Sequence, residues 1–285
     1  MIDFPEQLKF EAGQYVDQIV SFLNENLGFF FDAIRSLFTV ILLNIENFLL
    51  WLPWWLVIFA VFFVGWRVVK LSSGIVYGFL IFLVGAFGLW ELMMITFAIV
   101  LTSVIIALVI GIPTGIIMSY SRGFSNFMRP VLDAMQTMPS FVYLIPAIFF
   151  FGLGKVPAVF ATLIYAVPPV IRLTELAIRN VSKEMVEAAE SFGSSRMNLL
   201  TKVQLPQAMP TILAGVNQTT MMALAMVVIA SMIGAQGLGE EVLISINRID
   251  IARGFEAGIS IVFMAIIIDR ITNGIGNRFQ RNEGH

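Results

Sequence analysis

The sequence predicts an all-α, polytopic membrane protein with about seven transmembrane helices and an amphipathic helix at its N-terminus. Three observations carry this. The 285 residues are 58% hydrophobic but only 13% charged, with 26 Phe and a mean hydropathy of +0.89, whereas soluble domains carry about a quarter charged residues. No charge falls between Leu92 and Tyr120 or between Val203 and Gly239, runs longer than the ~18 apolar residues that mark a span. In lipid every backbone N–H and C=O must be paired internally, which leaves helices for apolar runs of this kind.

Taken in order, residues 1–52 read as one amphipathic region. Leu27, Phe30, Ile34, Leu37, Ile41, Ile45, Phe48 and Leu52 recur at helical spacing, with Asp32, Arg35, Thr39, Asn44, Glu46 and Asn47 between them. Such a helix lies in the outer interface or forms an eighth span. The cost of the Asp32–Arg35–Glu46 face in lipid favours the interface. Two accessory spans follow at 53–70 and 73–90, where all five Trp (51, 54, 55, 66 and 90) mark the front part of the chain, most of them near span ends. A core over 91–278 then has spans at 92–119, 133–152, 156–178, 208–232 and 256–276.

Charge gives the orientation. Arg67, Lys70, Arg122, Arg129, Arg172, Arg179, Lys183, Arg196, Lys202, Arg270, Arg278 and Arg281, twelve of the 17 basic residues, fall on one side of a seven-span arrangement. Lys9, Arg35, Lys155, Arg248, Arg253 and most acids fall on the other. The positive-inside rule makes the first side cytoplasmic, with the C-terminus and the 180–207 loop, and puts the N-terminus outside.

Composition also excludes chemistry. There is no Cys, and the one His is the terminal His285. That removes thiolate metal sites, disulfides, a Ser-His-Asp triad and an HExxH site. A net charge of -2 offers nothing to nucleic acid. Gly234-Ala-Gln-Gly237-Leu-Gly239 lacks the Lys-Ser/Thr of a phosphate loop and reads as a turn at the outer end of a span. No Walker A pattern occurs, so ATP chemistry needs another chain and this one binds no cofactor.

The most informative stretch is polar: NVSKEMVEAAESFGSSRMNLLTKVQLPQAMP, Asn180–Pro210. It predicts two short helices hinged at a glycine. Ser182 caps the first, and Gly193 supplies the positive φ that ends it. Ser194 or Ser195 caps the second, with Met197, Leu200 and Val203 on one face, and Pro206 stops it before the next span.

This stretch resembles the EAA loop of ABC importer permeases, in the pattern Glu187-Ala188-Ala189, three residues, Gly193, nine residues, Val203, one residue, Leu205-Pro206. Val203 stands where the family usually has Ile. Leu132–Gly154, Ala166–Ile178, Ile212–Gly239 and Ala265–Thr272 further resemble the glycine betaine/proline betaine uptake permeases, over residues 92–276. The resemblance implies a five-helix type I importer core in a bacterial cytoplasmic membrane. It also implies a homodimer, an ATP-binding cassette ATPase that uses ATP and Mg, an extracytoplasmic substrate-binding protein, and a small quaternary-amine osmolyte as substrate. Choline, carnitine or trimethylamine N-oxide are alternative substrates, and a secondary carrier is the rival class.

Candidate pathway residues are Asp133, Gln136, Phe141, Tyr143, Tyr165, Asn217 and Gln218. The aromatic ones offer cation–π contacts to a quaternary ammonium. Arg172 and Glu175, one turn apart, are expected to pair with each other.

Overall fold

The computed structural model describes residues 12–282, and no strand occurs among them. Of the charges used for orientation, Lys9 and the side chains of Arg278 and Arg281 lie outside the described set. Helices run in the order α1 (Ala12–Trp51), α2 (Trp54–Val68), α3 (Leu71–Ala86), α4 (Trp90–Tyr120), α5 (Arg122–Thr137), α6 (Leu144–Phe151), α7 (Lys155–Arg179), α8 (Lys183–Ser191), α9 (Arg196–Leu199), α10 (Leu205–Ala230), α11 (Leu238–Arg248) and α12 (Ile251–Asn282).

The centre is a stack in which α7 lies between α4 and α10. Small residues set its spacing. A Cβ on Gly111 of α4 would sit 2.5 Å from Val170, and one on Gly115 would sit 2.6 Å from the Ile171 carbonyl. On the other side a Cβ on Gly215 of α10 would meet the Val170 backbone at 3.2 Å. In lipid, where apolar burial gives helices no reason to associate, this close backbone approach supplies the dispersion contacts that do. Val159, Val170, Ala158 and Ala161 of α7 are fully buried as a result.

Four helices of the 91–278 region are each long and apolar enough to cross a membrane: α4, α7, the α9–α10 rod and α12. The expected span at 133–152 is not a single rod. α5 ends at Thr137 and α6 begins at Leu144, with their directions 110° apart. The break sits at Met138-Pro139, both extended, with ψ 136° and 135°. A proline forces the preceding residue out of the helical region, which here outweighs the apolar run. The two accessory helices are also shorter than expected. At 15 and 16 residues they rise roughly 23 Å, against a hydrocarbon layer of about 30 Å. They form a tight hairpin in which Gly74 abuts the Phe62 carbonyl and Gly65 the Tyr77 ring.

α1 is long and apolar enough to cross a membrane alone. Asn24 Nδ2 donates to the Phe149 carbonyl at 3.3 Å, and Phe31 stacks on Phe150 at 4.2 Å. Lys155 Nζ donates to Glu46 at 2.6 Å. α1 also packs on α4, more extensively than on the α6–α7 turn, and its Phe38, Leu42 and Leu49 are buried in the core. Glu46, expected on a polar outer face, is instead buried against that turn.

Candidate functional site

The 180–207 segment folds as the hinged elbow that its sequence predicts. The Ser182 hydroxyl accepts from the Met185 N–H and donates to Glu184 at 2.5 Å, which holds the Glu184 carboxyl below its ordinary range. At the other end of α8, Gly193 has φ +77°. Its N–H donates to Glu190 O at 2.9 Å, and the Ser194 N–H reaches Ala189 O at 3.1 Å. These are the paired bonds of a Schellman stop, which satisfy the last free carbonyls of the helix. Ser195 then caps α9 by accepting from the Asn198 N–H.

Two expectations need correcting. Pro206 does not stop the second helix. The chain passes from α9 through a π-turn, Leu200–Gln204, straight into α10, with the Leu205 N–H bonded to Leu200 O. A π-turn shifts the hydrogen-bond ladder by one residue, so a proline just beyond it costs less. The elbow is thus continuous with a span. The inward-facing residue of α9 is Leu199, which is buried, while Met197 is 67% exposed.

The base of the elbow is clamped and its tip is free. Ala177, Ile178, Val181, Ala208 and Ile212 form a small buried cluster against which Val186, Leu200 and Leu205 pack. Tyr120 at the end of α4 hydrogen-bonds Gln204. By contrast α8 buries no residue. Glu187 and Ala188 are exposed, Ala189 and Val203 half-buried, and Leu205-Pro206 begin α10. Phe192, 91% exposed, stands at the apex. Sequence reading passed over Phe192. An aromatic immediately before a helix-ending glycine in a polar loop is the signal that marks it.

Beside the elbow lies a charged cavity of about 370 Å³ between α5 and α7, lined by Arg129, Asp133, Arg172, Glu175, Leu176 and Arg179. The pairing differs from expectation. Arg172 pairs with Asp133, while Glu175 accepts from Ser125 (2.6 Å) and Arg129 (3.1 Å) and lies 3.0 Å from Arg179. Arg179 also donates to the Met118 carbonyl, joining three helices at one point. Partners on the facing helix α5 take both side chains, and Arg179, one turn on, shares the Glu175 carboxylate.

The seven pathway candidates do not form one cluster. Asp133 and Gln136 are exposed along α5. Tyr143 is buried against Tyr165, with ring centroids 5.9 Å apart, and its hydroxyl donates to the Met135 carbonyl. Asn217 donates to Asp269 of α12 at 2.9 Å. Gln218 and Phe141 are exposed. The chain turns over Gly234–Gly237, with Gly234 at φ +83°, and α11 then begins at Leu238, whose N–H is held by Thr96 at 2.8 Å.

A family model described as the inner membrane component of binding-protein-dependent transport systems matches residues 107–282. The glycine betaine/carnitine transport permease GbuB of Listeria monocytogenes is 47% identical over 93% of this chain and 95% of its own length. The glycine betaine transport system permease OpuAB of Bacillus subtilis is 46% identical over 91% and 92%, and the glycine betaine/proline betaine permease ProW of Escherichia coli is 45% identical over 90% and 72%. The fold is similar to the inward-facing MetNI methionine ABC transporter, with TM-score 0.61 at 19% identity over 65% of this chain and 93% of that one.

Proposed function

The chain belongs to the family of binding-protein-dependent transport system inner membrane components, and from that premise we propose that it carries glycine betaine, or the closely similar proline betaine, into the cell. It is the non-catalytic permease of an ATP-driven importer, and its partners are an ATPase and a substrate-binding protein. The observation that carries the coupling role is the elbow: a doubly capped hinge with an exposed aromatic apex, rooted without a break in span α10. Phe192, 91% exposed at the apex of the polar loop, offers its ring to a groove on another protein. The partner ATPase, using ATP and Mg, grips Phe192 and the Glu187–Gly193 segment of two permease copies on the cytoplasmic side. Its closure moves α10 through the continuous helix.

α7 and α4 share the displacement, because the glycine contacts leave no slack between the three helices. The path opens alternately to the binding protein outside and to the cytoplasm. The driving force is the difference in ATPase affinity for the two arrangements. α1 braces α4 and the α6–α7 turn, and the turn at 234–237 faces the binding protein.

Reconstitution with ATPase and binding protein in vesicles tests this. ATP-dependent uptake of labelled glycine betaine is expected, with none from the permease alone under an ion gradient. Gradient-driven uptake without the ATPase would instead establish a secondary carrier.

A further inference from the structure

The α5–α7 cavity has a feature that neither packing nor coupling explains. Asp133 and Arg172 form an ion pair, yet their side chains remain 65% and 36% exposed. Arg172 lies seven residues, about two turns, before the end of α7 at Arg179. Charges exposed at that depth are too costly against lipid and belong on a water-filled face. Arg172 is also incompletely used. Its Nη2 donates to Asp133, but its Nε is enclosed with no acceptor. The half-exposed Leu176 completes the wall with an apolar surface.

We infer that the Asp133–Arg172 pair is a reading site for a zwitterion passing through the permease, one that takes the substrate's carboxylate on Arg172 and its quaternary ammonium against Asp133. This rests on the betaine reading above. A guanidinium presents its two terminal Nη donors side by side, matched to the two oxygens of a carboxylate. A quaternary ammonium has no N–H to donate, so it needs charge and apolar contact, which Asp133 and Leu176 supply. The exchange is balanced: one internal ion pair opens and two equivalent contacts to the substrate form. Because the resident pair is largely exposed, it is weak and opens readily. Its re-formation expels the substrate. The neighbouring Glu175 is held by Ser125, Arg129 and Arg179 and keeps α5 and α7 in place while the outer pair exchanges.

The test uses the complete importer in vesicles and measures glycine betaine moved per ATP hydrolysed. Arg172→Gln is expected to lower this ratio about ten-fold, and Arg172→Lys, which keeps the charge but loses the side-by-side donors, less than that. Asp133→Asn is expected to lower it as well. If uptake and hydrolysis fall together and the ratio stays at the wild-type value, the pair is only structural and the inference is overturned. A ratio equally insensitive to Gln and Lys at this position overturns it too. Wild-type importer that hydrolyses ATP but moves no betaine would refute the substrate reading instead, a result distinct from any of these.

Discussion

The elbow and the central stack both depend on glycine, for opposite reasons. At Gly193 there is space but no conformational freedom to spare: nothing lies within 4 Å of a prospective Cβ, yet φ is +77°. At Gly115 the backbone is ordinary helix, yet a Cβ would stand 2.6 Å from both the Ile171 carbonyl and Thr174. One glycine shapes a turn and the other admits a neighbouring backbone. The difference separates the two regions by role. The stack is built to transmit displacement without giving way, and the elbow is built to present a defined shape to something outside the chain.

Substitutions can break or sharpen that contrast. The largest effect is expected in the stack. Gly115→Leu should leave little folded protein in the membrane, and Gly115→Ala should cost about 1–3 kcal/mol through overpacking, read as a lower melting temperature in detergent. Gly193→Asp should do the reverse: protein reaches the membrane in normal amount, while ATP-driven uptake is abolished. Equal loss of protein in both variants would erase the distinction.

Phe192→Ala comes next. Burying a Phe in a partner groove is worth about 2 kcal/mol, so affinity for the ATPase should fall by more than ten-fold, with the permease's own melting temperature unchanged. The smallest effect belongs to Ser195→Ala. It removes one cap, worth about 1 kcal/mol, and should appear as faster amide exchange at Asn198 with a modest loss of uptake.

What sequence could reveal follows the range of each interaction. The caps at Ser182, Gly193 and Ser195 are local hydrogen bonds spanning two to five residues, and residue type alone identifies them. The charge-free runs were equally legible, because backbone satisfaction in lipid leaves one solution. Errors arose where a tertiary partner decides. Glu175 meets Ser125, 50 positions away, so adjacency wrongly suggested Arg172. Pro206 looked like a stop because nothing local announces a π-turn. Pro139 signals a bend, but nothing local sets its size at 110°. Glu46 was read as a surface residue because Lys155, its partner, lies 109 residues on. The elbow's residues were legible for a further reason: a site that must dock a partner carries its shape in its own local sequence.

The chain has no cysteine, so one introduced thiol can be followed cleanly. Phe192→Cys, treated with a membrane-impermeant maleimide, tests the central claim most directly. The thiol should label in inside-out vesicles but not in intact cells, and should be protected once the ATPase is bound. Labelling from the outer side, or undiminished labelling in the assembled importer, would contradict the account.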